Sequence, residues 1–163
     1  MLTRLLPISI IGIIMVTPAA HSVNKLFMLA QTLAQKMYME HDLTGAHDHI
    51  SRDLKVTLKV NGKAPVSRNY DQFFDSIENK IRGNVEDVRM LQMSFEMAGP
   101  NTIKFYEHSI QKRKGTGIDE DGEGTYDITD TGFWTFREED GVLKLVAMEH
   151  EYQKTKHKSR MAA

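Results

Sequence analysis

Apolar residues at helical spacing come first in this chain and alternating ones come second. That order predicts an α+β fold, with N-terminal helices packed on a curved, mainly antiparallel sheet. Two observations carry the prediction. Two blocks between Val23 and Ile81 repeat apolar residues every three or four positions. From Val85 onward, four runs alternate with period two and are separated by turn signals. A length of 163 residues fits one domain with its own core, and with no cysteine that core must hold by packing alone.

The first helical block, "VNKLFMLAQTLAQKMYME", puts Val23, Leu26, Phe27, Ala30, Leu33, Ala34 and Met37 on one stripe, with Ser22 or Asn24 as its cap. A short second helix is expected over Leu43 to Ile50, capped by Asp42, with Ala46 and Ile50 on its buried side. "DLKVTLKV" then alternates as a strand with Leu54, Val56 and Leu58 on one face, and Asn61-Gly62 is a turn signal. Ser67 opens the third helix, whose apolar face is Tyr70, Phe73, Phe74, Ile77 and Ile81, and Gly83 ends it.

Four strands follow. "VEDVRMLQMSFEMAG" carries Leu91, Met93, Phe95 and Met97 on one face, and Gly99-Pro100-Asn101 turns the chain into "TIKFYEHSIQKRK". The loop "GTGIDEDGEG" leads to "TYDITDTGFWTFRE", and "EDG" leads to "VLKLVAMEHEY". No repeat and no low-complexity segment interrupts this meander.

The ends read differently. Residues 1–22 have the pattern of a signal peptide: Arg4, the apolar run Leu5 to Val16, and a small-residue region with cleavage at Ala20-His21-Ser22 or Thr17-Pro18-Ala19. The run is short against the about 20 apolar residues of a spanning helix, so export to the periplasm or medium is expected, with an uncleaved anchor as the competing reading. Residues 153–163 form a basic tail holding Lys154, Lys156, Lys158 and Arg160. It reads as a solvated end, or as a salt-sensitive contact with anionic lipid. A net charge of −1 gives no support for nucleic-acid binding.

Two polar clusters invite a metal reading. "EHDLTGAHDHISRDLKV" holds His41, His47 and His49 among Asp42, Asp48 and Asp53, but on a helix the consecutive His47, Asp48 and His49 point in three directions. "DEDGEG" shares Asp-x-Asp-Gly with calcium loops yet lacks their 12-residue spacing and terminal Glu. A polar helix connection and a solvated hairpin loop are the expectations, with no metal and no cofactor.

The layout resembles the nuclear transport factor 2-like superfamily, which includes the SnoaL-like polyketide cyclases and the ketosteroid isomerases, over about Val23 to Tyr152. "HDLTGAHDHISRDLKV" is similar to the family's opening segment, with Asp42-Leu43, Gly45, Ile50, Asp53 and Val56 at matching places. "GFWTFREEDGVLKLVAMEHEY" is similar to its last hairpin. The resemblance implies a cone whose concave sheet face and helices enclose an apolar pocket. The isomerase base would fall at Leu58 and its helix-one tyrosine near Ala34, so steroid isomerase activity is not implied. Homodimers through the exposed sheet, and scaffolding with envelope proteins, are the partners the resemblance implies.

Within such a cone, Tyr126, Ile128, Asp130, Gly132, Trp134 and Phe136 share one parity of the long strand. Val146, Met148, His150 and Tyr152 share one parity of the last. Asp130 and His150 are the candidate acid–base pair, and Trp134, Met148 and Tyr152 the candidate ligand contacts. Tyr106 and His108 are further candidates on a strand where Ile103 and Phe105 compete for the same face. The expected function is an exported module that binds a small apolar molecule or a protein; the alternative is a small-molecule lyase, isomerase or cyclase.

Overall fold

A computed structural model describes residues 18–40, 42–79, 85–114 and 122–158. Helix α1 (Pro18–Ala34) runs into a single wide π turn over Gln35–Glu40, followed by α2 (Leu43–His47), β1 (Ile50–Val60), β2 (Val66–Arg68) and α3 (Tyr70–Asn79). Four long strands complete the chain: β3 (Val85–Gly99), β4 (Thr102–Arg113), β5 (Gly124–Glu139) and β6 (Val142–Lys156). They form one six-stranded sheet in the order β2-β1-β6-β5-β4-β3, antiparallel throughout except that β6 returns parallel to β1. The fold is α+β, a helical layer on a curved, mostly antiparallel sheet.

Turn chemistry sets the strand connections. Asn61 and Gly62 both have positive φ (49° and 70°), and Lys63 N–H donates to Val60 C=O at 3.0 Å, which is the I′ geometry that asparagine and glycine tolerate. Asp140 and Gly141 repeat it between β5 and β6, with φ of 51° and 77°. Asp42 caps α2 as expected, accepting from Gly45 N–H at 3.0 Å.

Several expectations need correction. Ser22 and Asn24 both lie inside the first helix, so neither caps its start. The third begins at Tyr70, not Ser67: Gln72 N–H donates to Asn69 Oδ1 and Asn69 N–H to Gln72 Oε1, both at 3.0 Å, a reciprocal cap that fixes the start. Residues 66–68 instead pair with β1. The second helix is shorter than expected, and Ile50 belongs to β1. A bulge between Met90 and Gln92 turns Leu91 outward, leaving Met93, Phe95 and Met97 to pack on the core. A second bulge opposite Thr135 and Phe136 buries Leu145 where Val146 was expected. Lys154 and Lys156 lie in β6, so the sheet extends into the supposed tail. Ile81, Gly83 and the loop at 115–121 fall outside the described residues.

Residues opposed across a ladder share a face, so the inner face of the sheet is read as rows. Met97, Ile103, Trp134, Met148 and Val56 form one row. Phe95, Phe105, Gly132, His150 and Leu58 form the next, then Met93, Glu107, Asp130, Tyr152 and Val60. Leu26, Ala30, Leu33 and Ala34 of α1 and Phe73, Phe74 and Ile77 of α3 belong to the same core as the first two rows. Each large apolar side chain so buried contributes about 1.5–3 kcal/mol.

Candidate functional site

Beyond the His150 row the interior opens. A cavity of about 210 Å³ is walled by Met37, Phe73 and Ile77 from the helical layer, Leu58 and Val60 from β1, Val88 and Met90 from β3, and Ile128 from β5. Its polar lining is Tyr38, Tyr152, Glu107, Gln111, Arg113, Arg68, Ser76 and Lys154. An engineered apolar cavity of about 150 Å³ holds benzene, so this volume suits a one- or two-ring molecule.

The π turn positions Tyr38. Its widened backbone, closed by Asp42 N–H donating to Lys36 C=O at 2.8 Å, lets the consecutive Met37 and Tyr38 both face the cavity. Burial first, then the charges of Asp130 and Glu107, push the Tyr38 phenol far above its ordinary range. Tyr152 is raised in the same way, by burial and then by Asp130, Tyr38 and Glu107. Both phenols therefore remain protonated donors throughout the physiological range.

Behind Tyr152 lies a buried relay. Trp134 Nε1–H donates to His150 Nε2 at 2.9 Å, which makes Nε2 an acceptor and places the ring proton on Nδ1. Nδ1–H donates in turn to Asp130 Oδ2 at 2.6 Å, and the Tyr152 phenol hydrogen-bonds to the same carboxylate. Gly132 makes the room for this: a Cβ there would stand 2.8 Å from His150 Cε1 and Nδ1.

Of the residues singled out from the sequence, Asp130, His150 and Trp134 come together in that relay, 2%, 4% and 0% exposed, and Tyr152 carries it to the cavity wall. Met148 is core beside Trp134. Tyr106 and His108 are corrections. Ile103, Phe105, Glu107 and Ser109 take the inner face of β4, so Tyr106 and His108 point the other way, where His108 Nε2 meets Asp127 Oδ1 at 2.9 Å. Tyr38, Glu107 and Arg113 line the cavity and were not anticipated.

The histidine stretch does not converge. His47 bonds the Tyr70 hydroxyl and stacks on Phe74 at 4.1 Å between centroids, while Asp53 faces Arg137 at 3.4 Å. His41 and residues 119–121 of "DEDGEG" lie outside the described residues, among which no three His, Asp or Glu side chains gather as a metal site would require.

No family model matches the sequence, and no curated protein does. Solved structures do. A putative polyketide cyclase from Xanthomonas campestris pv. campestris superposes with a TM-score of 0.60 at 10% identity, covering 80% of this chain and 91% of that one. A hexachlorocyclohexane dehydrochlorinase, LinA Type2, gives 0.57 at 9% identity over 89% and 95%. An NTF2-like protein of unknown function in nutrient uptake from Rhodospirillum rubrum gives 0.50 at 13% over 77% and 96%. The chain has the nuclear transport factor 2-like fold. Identities this low carry the fold and leave the chemistry of the domain to its own residues.

Proposed function

We propose that this domain binds a small, mainly apolar organic molecule in the cavity, with Tyr38 donating to an oxygen of that molecule beside Tyr152. The observation that carries this is an open apolar cavity ending on two phenols held protonated by burial and neighbouring carboxylates. Neither Asp130 nor His150 lines the cavity, and the His150 nitrogen not bonded to Asp130 already accepts from Trp134. We assign the pair to fixing Tyr152, as positioning residues. The test is a thermal-shift screen of the domain with one- and two-ring ketones, phenols and acids. A ligand at 100 times its dissociation constant adds about 2.7 kcal/mol, and Tyr38→Phe is expected to cut the affinity roughly tenfold. No shift from any compound contradicts the reading.

Export accompanies this reading, with mature protein starting between Ala20 and Val23; intact Met1 on exported protein contradicts it. Pairing of two copies through the outer sheet face is the matching proposal for assembly, and a monomeric mass by light scattering contradicts that.

A further inference from the structure

The charge of the cavity is an observation separate from its shape. Arg68, Arg113 and Lys154 line it as cations, and Glu107 is the one carboxylate among the lining residues. The whole chain carries −1, so the sign reverses locally, inside a concavity with low-dielectric walls where field lines concentrate. The cations come from three elements, the ends of β2 and β4 and the far part of β6.

They are also ordered along the rows. Glu107 and Asp130 stand opposite one another beside Tyr152, and an anion placed there would be repelled. Lys154 pairs one row further out with Ile128, and Arg113 lies at the end of β4 opposite Gly124. Arg113 is held in place: it is 8% exposed, donates from Nη2 to Gln111 Oε1 at 3.0 Å, and lies over the Tyr126 ring at 5.6 Å. Lys154 Nζ approaches the same ring at 5.5 Å, and Tyr126 is anchored by its hydroxyl donating to Gly122 C=O at 2.8 Å. Arg113 and Lys154 thus sit at fixed places at the end of the cavity away from the paired carboxylates, whereas Arg68 pairs with Val56 in the Trp134 row on their other side.

We propose that the cavity selects a small apolar carboxylic acid. Its hydrocarbon body lies against Met37, Phe73 and Met90, and its carboxylate faces Arg113 and Lys154 at the end remote from Glu107. Any further oxygen on the body meets the Tyr38 phenol. A guanidinium suits a carboxylate because its fork of donors matches the two oxygens. This inference rests on the small-molecule reading above and specifies its ligand class.

The experiment is calorimetric titration of the full chain with matched acid and amide pairs: benzoate and benzamide, cyclohexanecarboxylate and its amide, 1-naphthoate and 1-naphthamide. At low salt the acid of the best-fitting pair is expected to bind roughly tenfold or more tightly than its amide, the range of a charge-assisted hydrogen bond. The preference shrinks in high salt and in Arg113→Gln and Lys154→Gln, and persists in Lys59→Gln, whose side chain pairs with Glu151 instead of lining the cavity. Lys154→Gln serves where Arg113→Gln fails to fold. An amide that binds as tightly as its acid, or an acid preference unchanged in the charge variants, overturns the inference and leaves the small-molecule reading standing. If no member of any pair binds, both fall together.

Discussion

The Trp134 end and the Tyr152 end of the inner sheet face are built from the same strands and behave oppositely. At the first, Trp134, Phe105, Met148 and Phe136 are buried in the core that α1 and α3 join, and Phe105 stacks on Trp134 with ring centroids 5.3 Å apart. At the second, Met90, Val60 and Ile128 leave a space of about 210 Å³. What changes between them is polarity along single strands. On β4 the inward series runs Ile103, Phe105, Glu107, Ser109, Gln111, Arg113, and on β6 it runs Met148, His150, Tyr152, Lys154. Apolar rows can collapse against a helix to crystal-like density. Rows bearing carboxylates, phenols and cations cannot without stranding polar groups. The cone is therefore closed by its own side chains at one end and kept open by them at the other.

That contrast predicts unequal responses to mutation. The largest falls in the closed end, where Trp134→Ala is expected to cost about 3–5 kcal/mol, measured by urea unfolding. Trp134→Phe keeps most of the packing but leaves His150 Nε2 buried without its donor, a loss of about 1–3 kcal/mol. Gly132→Ala comes next at about 1–3 kcal/mol, since the new methyl meets the His150 ring at 2.8 Å and the Glu149 carbonyl at 3.1 Å. A smaller effect belongs to the open end. Tyr38→Phe should stay within about 0.5 kcal/mol of wild type while weakening ligand binding.

Alkali separates the two ends again. The folded-state pKa values of Tyr38 and Tyr152 lie above the unfolded value of about 10. As pH rises past 10 the unfolded chain releases these protons while the folded chain retains them, so stability falls from there upward. Tyr38→Phe and Tyr152→Phe should each flatten that decline, and unfolding curves taken against pH in both variants check it. The smallest effect lies outside both ends. Asp42 is held below the ordinary carboxylate range by the Gly45 N–H and then by Lys36, so its capping contribution is complete above about pH 3.9 and fades as pH falls through its lower folded value.

Much of the fold was legible because alternation reports burial directly, and β5 is the clearest case, with Tyr126, Ile128, Asp130, Trp134 and Phe136 buried on one parity. Bulges defeated the same rule. One extra residue flips every later side chain, so Leu91 and Val146 were read onto the wrong face, and nothing local in the sequence marks the insertion. Ser67 looks like a helix start because the apolar period of α3 gives its face and not its first residue; the Asn69 and Gln72 pair holds that information.

The site was half legible for related reasons. Asp130, His150 and Tyr152 followed from strand parity. The face of Tyr106 and His108 stays open in the sequence because the long loop after β4 leaves its register to β5 unset, and the pairing of Glu107 with Asp130 is what decides it. Tyr38 escaped because an α-helical reading turns it away from Met37, whereas the π turn brings both to the cavity.

The most direct measurement fills the open end. Val60→Phe places a ring in the cavity from β1, and its stability and its binding of the best screened compound are compared with wild type by urea unfolding and calorimetry. If the cavity is the binding site, stability is unchanged within about 1 kcal/mol or rises, while binding is abolished. Retained affinity in a folded Val60→Phe protein would place the ligand elsewhere and contradict the division into a closed and an open end as the basis of function.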